Sequence, residues 1–152
     1  GLRLGLLVGR PELLHECEKV RLPYNINALT QAVATLCLTH QAEFDAQAKR
    51  ICAERDRLQT ELNQVGLHPF PSSANFILAR TASGQARPLF EGLKRRGVLI
   101  KCLDGGHPLL TDCLRFTVST PEENSQCLTA VKEALEELNS QTHQSSLSEL
   151  SE

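Results

Sequence analysis

Residues 28–65 contain neither glycine nor proline, and this run of 38 residues limits what the chain can fold into more than any other feature. Within it Phe44, Ala48, Ile51, Leu58, Leu62 and Val65 recur at helical steps and line one face. Asn25 and Asn27 offer caps at its start, and Gly66 is suited to the left-handed residue that ends a helix. Unbroken, such a helix measures ~55 Å at ~1.5 Å per residue, longer than a small domain is wide. It is expected to join two bodies rather than to sit inside one.

The flanking segments read differently. Residues 2–8 alternate loosely as a strand closed by Gly9, and Pro11 opens a short helix that Pro23 ends. Beyond Gly66 the pattern predicts a strand over 74–80, a helix over 88–96, and two strands over 98–104 and 113–119. Thr120, Pro121 and Glu123 have the spacing of a capping box opening a last helix, with Leu128, Val131, Leu135 and Leu138 inward. From Ser140 onward the Ser/Gln/Glu-rich sequence cannot form a core, and disorder is expected.

Charge and cysteine usage narrow the function classes. Sixteen basic against eighteen acidic side chains give a net charge of −2, which argues against a basic nucleic-acid module. No stretch approaches the ~18 consecutive apolar residues of a membrane span, and the apolar opening does not read as a signal peptide. The six cysteines lie 11 to 50 residues apart with no C-x-x-C pair, so no metal site is expected. They read as reduced, partly buried thiols, which suits the cytoplasm. The chain has no methionine and opens abruptly on Gly1, as if cut from something longer.

The two late strands carry the most informative chemistry. One face presents Val98, Ile100, Cys102, Leu114, Phe116 and Val118; the other presents Leu99, Lys101, Leu103, Cys113, Arg115 and Thr117. A hairpin closing symmetrically about Pro108 sets Lys101 opposite Arg115. Like charges facing across a strand pair are destabilising, and an anion between them removes the penalty. The alternatives are two solvated cations, or cations paired with Asp104 or Asp112. Arg3 between Gly1 and Gly5 reads as a strand end, Tyr24 as a packing residue, and the run Glu54-Arg55-Asp56-Arg57 as a solvated helix face. No nucleophile or general base is evident.

Five stretches in order resemble the C-terminal part of the histidinol-phosphate aminotransferases, fold-type I enzymes dependent on pyridoxal 5'-phosphate. They are GLRLGLLVG at 1–9, VRLPYNIN at 20–27, SANFIL at 73–78, GVLIKCLD at 97–104 and CLRFTVSTPEEN at 113–124. The resemblance runs to about Leu138.

It implies an α+β fold: an aminotransferase small C-terminal domain, its small sheet covered by helices, preceded by a long interdomain helix and an orphan strand of the large domain. In those terms residues 1–27 are a remnant of the large cofactor-binding domain, 28–66 the interdomain helix, 67–139 the small domain and 140–152 a polar tail. By the same resemblance Arg3 holds the cofactor phosphate, Arg115 grips the substrate carboxylate, and Lys101 lies near the substrate phosphate end. Lys101 stands where many members have Arg, and acts there as a point charge. Tyr24 and Asn25 line the active site near a homodimer interface. The Schiff-base lysine lies upstream of Gly1, so the chain alone is expected to be inactive. The implied partners are a phosphorylated amino-acid substrate with 2-oxoglutarate or glutamate. A threonine-phosphate decarboxylase of the same lineage and a non-catalytic helical interaction domain are the competing readings.

Overall fold

A computed structural model describes residues 2–149, with side chains through Ser140. The chain divides into two compact units, Gly1–Gln47 and Ala48–Glu152, and the division falls inside a helix.

The N-terminal unit is helical. Residues 2–10 form no strand, in contrast to the expectation from their alternation, because a strand requires a ladder partner and none pairs with them among the described residues. Helix α1 spans Pro11–Val20 with Pro11 at the first helical position, and α2 spans Ala28–Thr39. The Asn27 side chain accepts from the Thr30 backbone N–H at 2.8 Å and caps α2. The long helix expected over 28–65 is broken once. His40 ends α2 with φ −112° and ψ 32°, and α3 continues over Gln41–Gln64. Thr39 bonds its hydroxyl to the Leu36 carbonyl at 2.7 Å, a local alternative to the helical ladder that sits beside this break.

The C-terminal unit is a two-layer α+β arrangement. Strands β1 (His68–Pro69), β2 (Phe76–Arg80), β3 (Lys101–Cys102) and β4 (Cys113–Thr117) form one antiparallel sheet in the order β1-β2-β4-β3. Helix α4 (Ala86–Arg95) and the start of α5 (Pro121–Glu149) pack with the C-terminal half of α3 against one face. The period-two side-chain alternation decides which face. Ile77 opposite Phe116 and Ala79 opposite Leu114 point inward and are fully or almost fully buried. Phe76 opposite Thr117 and Leu78 opposite Arg115 take the outer face.

Four features of the sequence explain how the layers lock. Gly66 at φ 90° closes α3: its N–H bonds to the Asn63 carbonyl and that of Leu67 to the Leu62 carbonyl, both at 3.1 Å. Leu58 and Leu62 are completely buried, so the second half of α3 is part of the core and not a bare connector. Gly92 lets α4 approach α5, since a Cβ there would meet the Ala134 Cβ at 3.1 Å. Thr120 and Glu123 bond each other's backbone N–H groups as the capping box requires.

Two further expectations are modified. The strand expected over 98–104 is paired only at Lys101–Cys102, and residues 97–100 stand away from 117–119 around a cavity of about 290 Å³. Helix α5 continues through Glu149, where a disordered tail was expected from Ser140; residues 150–152 lie outside the described residues. No glycine or proline occurs after Pro121, so nothing in the sequence stops the helix from propagating.

Candidate active site on the open sheet face

The outer face of the sheet is where cations collect. Lys101 and Arg115 are register partners across β3 and β4, as the symmetric hairpin predicts. Both are exposed and neither has a carboxylate within ion-pair distance among the described residues. Pairing with Asp104 or Asp112 does not occur. Asp104 Oδ1 instead accepts from the Asp112 backbone N–H, and Asp112 Oδ1 accepts from that of Gly84, each at 2.9 Å. The Arg115 guanidinium lies over the Phe76 ring, 5.3 Å from its centroid, which orients the fork without occupying its N–H donors.

A third cation shares the outer face and was missed by reasoning on the hairpin alone. Arg80 at the end of β2 pairs in register with Cys113 and lies over Phe70 at 5.5 Å. Its Nη2 donates to the Leu109 carbonyl at 2.8 Å, while its Nε is buried without a partner. The signal was available in FILAR at 76–80, whose alternate positions put Phe76, Leu78 and Arg80 together once the strand is recognised. Cys113, grouped with this face by parity, is fully buried.

The remaining candidates lie in the N-terminal unit. Arg3 has a left-handed backbone at φ 54° and no ion pair among the described residues, and it borders a hollow shared with Gln31 and Thr35. Tyr24 is 98% exposed at φ 55°, so it is not the packing residue its position suggested. Asn25 accepts from Arg21 Nη1 at 2.9 Å. Gly1, the first residue of the stretch carrying Arg3, lies outside the described residues.

The charge run on α3 has a different use from the solvated face expected of it. Glu54 accepts from Arg57 and from the Nδ2 of buried Asn124 at 2.9 Å, and Arg57 donates to the Pro121 carbonyl at 3.1 Å. Asn124 also pairs with both backbone groups of Ser119, so the run docks α3 onto the entry of α5. The Arg57 guanidinium, with help from Asn124, holds the Glu54 carboxyl below the usual carboxylate range. Burial pushes the Cys127 thiol up to about 11, which makes it inert rather than nucleophilic. No cluster of three metal-ligating side chains and no helix long and apolar enough to cross a membrane occur among the described residues.

The family model described as Aminotransferase class I and II matches residues 1–131. Histidinol-phosphate aminotransferase 2 of Nitrosococcus oceani is 53% identical over 133 residues, covering 87% of this chain and 37% of that protein. The histidinol-phosphate aminotransferase of Methylibium petroleiphilum is 49% identical over 133 residues, 87% of this chain and 35% of that one. The chain thus spans little more than a third of the length of these relatives. Among solved structures, the histidinol-phosphate aminotransferase of Clostridium acetobutylicum aligns with a TM-score of 0.70 and 26% identity, over 80% of this chain and 37% of its own. The L-threonine-O-3-phosphate decarboxylase of Porphyromonas gingivalis aligns with a TM-score of 0.71 and 25% identity, over 85% of this chain and 40% of its own.

Proposed function

The chain belongs to the class I and II aminotransferases, and from that premise we propose that it forms the C-terminal part of a histidinol-phosphate aminotransferase. The reaction is the exchange of an amino group between histidinol phosphate and 2-oxoglutarate, giving imidazole-acetol phosphate and glutamate, a step of histidine biosynthesis. The observation that carries this reading is the unneutralised pair Lys101 and Arg115 on the open sheet face.

Such a transaminase must hold two different anions in turn. Glutamate presents a planar carboxylate, and histidinol phosphate a tetrahedral phosphate with up to two charges. The Arg115 fork matches either by paired N–H donors, while Lys101 adds a point charge that favours the more highly charged ligand. The Phe76 ring under Arg115 restricts its swing, so less side-chain entropy is lost on binding.

The residues present fit pyridoxal 5'-phosphate at one point. Arg3 is an exposed guanidinium without an ion pair among the described residues, suited to the cofactor phosphate. When bound, that cofactor supplies an electron sink for the carbon losing its proton. Tyr24 and Asn25 line the active site near the interface of a cytoplasmic homodimer, where the exposure of Tyr24 leaves its ring free to meet a second subunit.

The decarboxylase reading keeps one supporting observation, the Porphyromonas structure that aligns as well as the aminotransferase does. Product analysis on the complete enzyme separates them. Formation of glutamate from histidinol phosphate and 2-oxoglutarate, without carbon dioxide, is the expected result; carbon dioxide release from threonine phosphate without transamination overturns it.

A further inference from the structure

The β3–β4 hairpin holds its cations near its open end, yet it is secured at its loop, and four hydrogen bonds there converge on two residues. Asp112 lies one residue before β4 in the left-handed region, at φ 59°. Its carbonyl accepts from the Thr81 backbone N–H at 2.9 Å, which carries the β2–β4 pairing one step past Arg80 and Cys113. Its Oδ1 accepts from the Gly84 N–H at 2.9 Å, tying the hairpin to the turn before α4. Its own N–H donates to Asp104 Oδ1 at 2.9 Å, closing the loop on itself. Arg80 makes the remaining tie, from Nη2 to the Leu109 carbonyl at 2.8 Å.

These ties matter because the hairpin ladder itself is short. Only Lys101 and Cys102 of β3 pair with β4, with one further backbone bond from the Leu103 N–H to the Cys113 carbonyl at 3.0 Å; on the other side residues 97–100 stand apart from 117–119. Side-chain direction in a strand has period two, so a slip of one residue would turn Lys101 to the core face and take it away from Arg115. Two paired residues and one added backbone bond resist such a slip weakly; the ties at the loop end have to supply the rest. The like charge on Arg115 opposite Lys101 adds a force that pushes the pair apart.

We propose that Asp112 and Arg80 are positioning residues that hold Lys101 and Arg115 in the register needed to grip one anion. Neither touches the ligand. The inference rests on the reading of Lys101 and Arg115 as an anion grip, and the test separates the two.

The 152-residue chain, labelled with nitrogen-15, is titrated with inorganic phosphate while the Arg115 Nε–H and Lys101 backbone signals are followed by NMR. Both shift together in the wild type, and the Lys101 signal does not shift in R115A. Asp112→Gly keeps the left-handed backbone without strain and removes only the carboxylate. It weakens phosphate binding about tenfold or more, the loss of one charge-assisted contact, while the signals of Ile77, Leu114 and Phe116 stay in place. Asp112→Asn retains an oxygen acceptor and restores binding. Arg80→Met, which breaks the tie to Leu109 and the contact with the Phe70 ring, also weakens binding and supplies the comparison should Asp112→Gly not fold. A lowered melting temperature in D112G or R80M with phosphate affinity unchanged overturns the positioning role and leaves the grip standing. No saturable shift in the wild type, or an equal one in R115A, overturns the grip and the positioning role with it.

Discussion

Lys101 and Arg115 face each other directly across the β3–β4 pair, two cations in register with no carboxylate on either among the described residues. An unliganded protein pays for this arrangement in stability, since like charges directly opposite are destabilising. A bound carboxylate or phosphate converts the repulsion into a shared attraction, which is the physical basis of the proposed substrate grip.

The two cations are expected to contribute unequally. In the complete enzyme Arg115→Ala should reduce kcat/KM for histidinol phosphate much more than Lys101→Ala, because only the guanidinium offers a bidentate fork. Loss of a charge-assisted bond of ~1.5–3 kcal/mol corresponds to roughly 10- to 150-fold. Steady-state kinetics of both variants decide it: equal losses, or none at Arg115, would sink the assignment.

Stability should follow the opposite order. Phe116, one residue along β4, is 1% exposed and partnered with Ile77. Phe116→Ala is expected to cost ~3–5 kcal/mol through the cavity it leaves. Arg115→Ala should stay within ~0.5 kcal/mol of wild type, since its side chain is exposed and its removal relieves a like-charge pair. Urea unfolding of the 152-residue chain measures both.

Acid should unfold the C-terminal unit partly through Glu54. Its carboxyl is held low in the folded state by Arg57 and then Asn124. A depressed folded pKa contributes stability that is present above the unfolded value, ~4.3, and lost as pH falls through the folded one. Glu137 beside Arg96 and Glu123 at the α5 cap are shifted the same way, so the slope is shared. Glu54→Gln is expected to flatten, without abolishing, the fall in stability between neutral pH and pH 3. An unchanged slope in denaturant titrations across that range would remove Glu54 from the account.

The cysteines should divide by exposure. Cys17 and Cys52 are exposed, Cys113 is buried, and the Cys127 thiol is pushed up to about 11 by burial. Thiol titration with a chromogenic disulfide at pH 8 should therefore show two fast groups in the native protein. Cys113 and Cys127 should react only after denaturant is added; fast native modification of Cys127 would mean that its surroundings are not as closed as the structure has them.

How much was legible beforehand varies with the distance over which the cause acts. Local rules sufficed for the short helix starting at Pro11, the Gly66 termination and the Thr120–Glu123 capping box, each set by neighbours within a turn. The parity of β4 and the symmetry of its hairpin put Lys101 opposite Arg115 in the same way. The order of motifs identified the family, which neither spacing nor composition could do.

Tertiary structure decided the rest. Residues 2–8 alternate like a strand but form none, because a strand's hydrogen bonds are made with another segment and alternation cannot provide one. The charge run at 54–57 looked like a solvated helix face until Asn124, seventy residues beyond Glu54, supplied a buried donor. Arg80 joined the cationic face only when β2 paired with β4, and Asp112 tied two loops that the sequence separates by 28 residues. Side-chain periodicity is written along the chain, so the sequence determined which residues share a face. Which faces meet depends on contacts between distant segments, and those exist only once the whole unit has packed.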